Sequence, residues 1–222
     1  MEYELPLFPL NTVLFPGMPL TLHIFEDRYK AMVNQCLGEG EPFGVVLIKE
    51  GVEADGPLAE PHPVGCTAQI AQVQPLLGGR MNILVVGGER FRIVSLQSQH
   101  NASFLKGQVQ NYPLEWQPAE DTAQASRRLR PWVEEYLSLL SNAEEMQFDV
   151  ESLPDDAESL AFLAATVLQV PNVQKQELLA VPGIARLLDD IHTLYRRELP
   201  LLRQLLRRDD LVPAGPGSFS LS

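Results

Sequence analysis

The feature that most constrains this chain is a change in the spacing of its apolar residues near Trp116-Gln117-Pro118. Before that point apolar residues alternate or run continuously among glycines, prolines and β-branched side chains. After it they recur every three or four positions among Leu, Ala, Glu and Arg. The first spacing suits strands and the second suits helices, because each keeps one face of its own element out of water. The chain is therefore expected to be α+β, with a β-rich part over residues 1–117 and a helical bundle over 118–210. Residues 211–222, rich in Pro, Gly and Ser, are expected to stay disordered.

Within the β-rich part, Leu20, Leu22 and Ile24 alternate with Thr21 and His23, the period of a half-buried strand. Phe43 to Ile48 is a continuous apolar run, suited to a strand covered on both faces. Two long β-type segments, Val64 to Leu76 and Met81 to Leu96, are separated by Leu77-Gly78-Gly79-Arg80. The glycines supply the positive φ of a tight turn, so the two segments should pair antiparallel. Gly87-Gly88 marks a bulge or bend in the second segment, and Phe104 to Leu114 closes the set. One helix interrupts the pattern: Tyr29, Met32, Val33, Cys36 and Leu37 form an apolar stripe, started at Glu26 or Asp27 and stopped at Gly38. This order fits either a small sheet covered by the helix or a partly closed barrel plugged by it.

The second part reads as four helices. Leu129, Trp132, Val133, Tyr136, Leu137 and Leu140 make one face, with Pro131 expected to kink or restart that helix. A second helix spans Asp155 to Gln169, a third is capped by Asn172 and ends before Pro182-Gly183, and a long fourth runs from Ile184 past Pro200.

Little in the sequence points to catalysis. There is no phosphate-binding loop, no GxSxG elbow and no HExxH, and His23, His62, His100 and His192 are scattered. Asp155-Asp156 favours a helix dipole without any ion. Cys36 and Cys66 lie on apolar faces, where they are expected to be free, inert thiols. No cofactor or metal is expected. The N-terminus lacks a signal-peptide pattern and no apolar run is long enough to cross a bilayer, which favours a cytoplasmic protein without membrane contact. A net charge of −12 and a pI near 4.7 argue against nucleic acid as a partner. Two charge features qualify that picture. Nine carboxylates between Pro131 and Gln174 have no basic neighbours in sequence, and Arg196, Arg197, Arg203, Arg207 and Arg208 cluster near the C-terminus. The plain reading is that these are solvated faces lying near one another in the bundle.

The opening Leu5-Pro6-Leu7-Phe8-Pro9-Leu10-Asn11-Thr12-Val13-Leu14-Phe15-Pro16-Gly17-Met18 carries more than composition. Followed by Phe25-Glu26-Asp27-Arg28-Tyr29, it resembles the start of the Lon protease N-terminal, substrate-binding domain. Val64-Gly65-Cys66-Thr67-Ala68-Gln69-Ile70 and the Ile83 to Ile93 segment with Gly87-Gly88-Glu89-Arg90 resemble two of that family's strands. Leu153-Pro154-Asp155, Lys175 to Leu179 and Arg186-Leu187 continue the likeness in order. The resemblance implies a pseudo-barrel followed by a helical bundle. It also implies a stand-alone recognition module, because the family's ATPase and protease segments have no counterpart in these residues. Pro6, Pro9, Pro16 and Pro19 are expected to stop this stretch from joining a ladder, and Phe8, Phe15 and Phe25 to fill the core.

The expected function is non-enzymatic binding of a protein or unfolded-peptide client. The competing reading is a small enzyme or ligand-binding protein using a pocket between the two parts. The candidate contacts are Leu76 and Leu77, apolar residues at an expected hairpin tip where polar ones are usual. They either fold down to cap the barrel or stand out as an anchor for an extended client.

Overall fold

The computed structural model describes residues 1–51, 59–97, 104–115, 117–144 and 153–209. The tail after residue 210, together with part of the acidic run, lies outside them. Seven strands come first: β1 (Glu2–Leu10), β2 (Pro19–Ile24), β3 (Phe43–Glu50), β4 (Glu60–Pro61), β5 (Val64–Pro75), β6 (Met81–Leu96) and β7 (Leu105–Asn111). Helix α1 (Asp27–Glu39) sits between β2 and β3. Helices α2 (Ala119–Glu144), α3 (Ala157–Val167), α4 (Asn172–Leu179) and α5 (Ile184–Asp209) follow.

β1, β7, β6, β5 and β3 pair in that order, and β3 pairs with β1 again, so five strands close on themselves as a barrel. The closing strand is the proline-rich opening segment, which therefore does join a ladder, against expectation. β1 pairs antiparallel with β7 from Glu2 to Leu7 and parallel with β3 from Leu7 to Leu10. The strand changes partner at Leu7, so each half has a side without a neighbour. A proline nitrogen turned to that side removes no ladder bond.

The barrel is narrow, and glycines make the room inside it. Leu5, Leu7, Val46, Phe91, Leu105 and Val109 form its buried filling. A Cβ on Gly44 or Gly65 would come within 2.6 Å of the Phe91 ring, and one on Gly107 within 3.0 Å of Leu7. Three strands thus give up a side chain so that one phenyl ring and one leucine can occupy the axis.

α1 covers a second core made of Phe8, Ile24, Tyr29, Met32, Val33, Cys36, Phe43 and their neighbours. Phe8 stacks on Tyr29 at 4.0 Å between ring centroids. The helix runs one turn-end further than Gly38: Gly40 takes the left-handed position (φ 71°) and its N–H donates to the Cys36 carbonyl. Leu37 and Phe25 are exposed, so the apolar stripe of α1 is narrower than expected and Phe25 adds no core volume.

The third core belongs to the helices, but not to them alone. Leu129, Val133, Tyr136, Leu160, Leu187, Ile191 and Tyr195 pack with Val13, Phe15, Leu47 and Val64 from the β part. α2 and α5 run in the same direction, as the pairs Arg128–Asp189, Trp132–His192 and Tyr136–Tyr195 require. α2 continues through Pro131 as one helix, so the proline does not restart it. Arg203 of the basic cluster pairs with Glu135 of the acidic run, so these two charge features do face each other. Asn172 is the first residue of α4 rather than its cap; its side-chain amide donates to the Asn11 carbonyl across the two parts.

Candidate functional site

The two glycines after Leu77 do form the tight turn, with φ of 76° at Gly78 and 69° at Gly79. Leu76 N–H donates to the Arg80 carbonyl (2.8 Å) and Arg80 Nε donates to the Leu77 carbonyl (3.1 Å), which fixes the tip. Leu76 is half-buried, whereas Leu77 is 88% exposed. The two candidate residues therefore differ: one is partly covered and the other stands in solvent.

Below the tip, β5 and β6 leave the barrel as an arm, and β2 adds a third strand to it. β2 pairs with Met81 to Val86 of β6, and β5 pairs with the same stretch from its other side. Among the described residues no strand pairs along the outer edge of β2. Leu20, Leu22, Ile70 and Val73 are only partly buried where they meet the α1-covered core, while Ile83 and Val85 between them are fully buried. The arm thus offers an apolar row beside an unpaired strand edge. Toward the tip end of β2 a cleft of about 360 Å³ is bordered by Leu22, Phe25 and Tyr29 together with Phe8 and Leu10.

Two larger clefts lie at the start of α3. One, about 660 Å³, opens between that helix start, the beginning of α2 and Leu114, Glu115 and Gln117. The other, about 470 Å³, lies between α3 and the Pro16-Gly17-Met18-Pro19 loop. Both are bordered by Asp156 and Glu158. Asp156 is the N-cap of α3 and accepts a hydrogen bond from Ser159 N–H at 2.8 Å, whereas Asp155 lies 3.7 Å from Arg130. The proline loop is pinned by Gly17 N–H to the Gly87 carbonyl (2.8 Å) and Gly87 N–H to the Met18 carbonyl (2.9 Å). Gly87 allows this approach: a Cβ there would stand 2.0 Å from the Phe15 carbonyl oxygen. Residues that read as purely structural in the sequence thus form one wall of a cleft. Neither cleft is lined by a histidine or a cysteine.

The seam between β part and helices is held by Arg90, whose role sequence reasoning missed. β6 bulges opposite Cys66 to Ala68, and past the bulge Phe91 enters the barrel while Arg90 faces the helices. Arg90 is 4% exposed, and its Nη1 donates to the carbonyls of Leu179 and Val181, each at 2.7 Å. Its guanidinium lies over the Tyr112 ring (4.9 Å) and near Phe162 (5.8 Å). Burial pulls its pKa below the usual arginine value. The signal in the sequence was an arginine directly before a core phenylalanine. Tyr112 OH donates to the Ala180 carbonyl (3.1 Å) and Gln176 Nε2 to the Val64 carbonyl (2.9 Å), which extend the seam.

Cys36 and Cys66 are both buried and unpaired; burial pushes their thiols up to about 11 and about 12. Among the described residues no group of three or more His, Cys, Asp or Glu could hold a metal ion. No described helix is long and apolar enough to cross a membrane.

Known proteins share this architecture. A Lon N-terminal domain protein from Xanthomonas campestris superposes with a TM-score of 0.60 at 26% identity, covering 85% of this chain and 96% of that one. The N-terminal domain of Mycobacterium avium complex Lon protease gives a TM-score of 0.64 at 20% identity, over 87% and 98%, a likeness of fold. In sequence, Lon protease 1 of Hydrogenovibrio crunogenus is 25% identical over 96% of this chain but only 26% of its own length. Lon protease 2 of Myxococcus xanthus is likewise 25% identical, over 94% of this chain and 25% of its own. The chain thus spans about a quarter of the length of these relatives. The family model described as the ATP-dependent protease La (LON) substrate-binding domain matches residues 4–197, and the chain belongs to that family.

Proposed function

We infer that this chain is a non-enzymatic module that binds extended or unfolded protein segments along the β2–β6–β5 arm. The carrying observation is the unpaired outer edge of β2 beside the half-buried row of Leu20, Leu22, Ile70 and Val73. An extended client adding a strand there would satisfy its backbone on β2, and alternate apolar side chains would meet the row. Leu76 and Leu77 at the tip would anchor its end. The family's description as a substrate-binding domain supports this use of the fold.

In this reading residues 1–117 form the recognition part, and the bundle over 118–210 braces it from behind. No cofactor takes part, and a cytoplasmic setting, away from membranes and nucleic acid, suits the −12 net charge. The clefts at α3 offer space for a small ligand, but carboxylates without a histidine or cysteine partner in the lining favour binding over turnover.

The test is a Leu76→Ser/Leu77→Ser variant titrated against a permanently unfolded model protein. Weaker binding at an unchanged melting temperature supports the anchor. A markedly lower melting temperature means that the leucines belong to the core, and unchanged binding removes them from the site.

A further inference from the structure

We propose that the two clefts flanking the start of α3 form one groove, which selects extended polypeptide segments carrying a basic side chain between apolar ones. The proposal rests on the reading of this chain as a polypeptide binder, but it concerns a different surface from the arm.

The groove has a defined layout. On the α2 side its apolar lining comes from Leu114, Ala123, Ala157 and Ile184. On the loop side it comes from Pro16, Met18, Pro19, Phe162 and Leu163. The two clefts, about 660 and 470 Å³, share Asp156 and Glu158, so carboxylates stand at the crossing between two apolar compartments. Each volume is ample for one or two side chains.

Charge decides what can lie across the middle. The lining holds Glu115, Asp155, Asp156 and Glu158 against Arg127 and Arg130. Arg130 is already engaged: it donates to the carbonyls of Leu153 (3.4 Å) and Pro154 (2.5 Å) and lies 3.7 Å from Asp155. The partial positive charge at the start of α3 offsets the negative charge of Asp156 and Glu158 only in part. An excess of negative charge therefore remains where a bound chain must cross. A lysine or arginine satisfies it, and an acidic side chain is repelled.

The walls are also preformed. Prolines at 16 and 19 limit the loop, and the paired hydrogen bonds between Gly17, Met18 and Gly87 hold it on β6. A groove that does not have to order itself on binding loses less affinity to entropy.

The experiment uses the full chain and fluorescein-labelled peptides with apolar residues on both sides of a central Lys, Gln or Glu, followed by anisotropy. The Lys peptide is expected to bind about tenfold more tightly than the Glu peptide, with the gap narrowing as salt rises. Glu158→Lys should abolish the preference and Glu158→Gln should reduce it about threefold. Hydrogen exchange should show protection over residues 154–166 with the Lys peptide. Equal binding of Lys and Glu peptides overturns the proposal, as does a preference that survives in a folded Glu158→Lys protein. Should Glu158→Lys fail to fold, Glu158→Gln and the peptide comparison on the unaltered chain decide the matter. Loss of unfolded-client binding in the Leu76→Ser/Leu77→Ser variant without any Lys preference sinks the groove and leaves the arm. A Lys preference with client binding indifferent to that variant supports the groove and sinks the arm.

Discussion

Replacing Arg90 by methionine tests whether the seam between barrel and helices is held by polar recognition or only by apolar burial. Methionine keeps much of the length and volume but has no donor. The Leu179 and Val181 carbonyls, each 2.7 Å from Nη1, would be left buried without that donor. Stranding a buried acceptor costs about 1–3 kcal/mol. The stacking over Tyr112 at 4.9 Å adds about 0.5–2 kcal/mol more. Against this stands the relief of no longer burying a guanidinium, which can reach several kcal/mol when the charge has no close carboxylate. Arg90 has no ion pair among the described residues, so the relief takes back several of the roughly 2.5–8 kcal/mol that the two stranded carbonyls and the ring represent, and the net loss should be about 1–3 kcal/mol.

Urea unfolding followed by tryptophan fluorescence and by far-UV circular dichroism measures this directly. With Trp116 replaced by phenylalanine in both proteins, Trp132 on α2 is the one tryptophan left, so fluorescence reports the helical side, whereas circular dichroism reports both. Coincident transitions in the parent that separate in Arg90→Met would show that the arginine couples the two parts. Arg90→Lys should fall between, because an ammonium cannot hold two carbonyls and a ring in one plane. A change below about 0.5 kcal/mol, or a gain, would refute the reasoning and show that desolvation outweighs the hydrogen bonds.

Gly87→Ala should cost about 2–4 kcal/mol, because the new Cβ meets the Phe15 backbone at 2.0 Å and nothing there can turn aside. Gly17→Ala, with φ +77° but nothing within 4 Å of its Cβ, should cost only about 1–2 kcal/mol; the opposite ranking in urea midpoints contradicts the close-approach account. Denatured, unreduced protein should titrate as two thiols, and native protein should react far more slowly at pH 8; no thiol in the denatured sample would mean a disulfide. Because burial raises both thiols above their unfolded value of about 9, the folded state holds its protons longer, so their stabilising contribution is complete below pH 9 and lost toward pH 11–12. Cys66→Ala should flatten part of that alkaline decline, and an unchanged slope would contradict the assignment. Nucleic acid should not bind at physiological salt, and a salt-sensitive micromolar affinity would contradict the charge argument.

The local elements were legible because their determinants lie close together in the chain. The hairpin was announced by Gly78-Gly79, and the bulge by Gly87-Gly88. The α1 stripe and the four later helices followed from spacing. What escaped was set by distant partners. β1 looked barred from any ladder because its prolines only become harmless when β7 and β3 approach it over different halves. Gly44, Gly65 and Gly107 gave no hint that they serve Phe91 and Leu7, because those contacts are fixed by barrel closure. Phe25 was assigned to the core by its residue type, yet it stacks on His23 at the surface. At the proposed sites, Leu76 and Leu77 could be singled out from turn chemistry, but the groove could not. Its loop-side compartment joins residues 16–19 to α3, more than one hundred positions away, and its other compartment joins the starts of α2, α3 and α5.

The same long-range packing bears on whether residues 1–117 and 118–210 are separable. The texture of the sequence divides there, but the buried surface does not. Val13, Phe15, Leu47 and Val64 belong to the helical core, and Arg90 spends its hydrogen bonds on carbonyls of the α4 end. A fragment of residues 1–117 would keep a closed barrel and the α1 core while exposing four apolar side chains and an arginine with no acceptor. Each exposed aliphatic or aromatic side chain forfeits about 1.5–3 kcal/mol of burial, so four of them approach the whole stability of a typical domain. The fragment is therefore expected to bind a hydrophobic dye and to lose a cooperative thermal transition, whereas the full chain melts in one step. A fragment that melts cooperatively near the temperature of the full chain, without dye binding, would show the barrel to be self-sufficient. It would also reduce the helices to a passenger, because a brace that can be removed without cost does not position the groove.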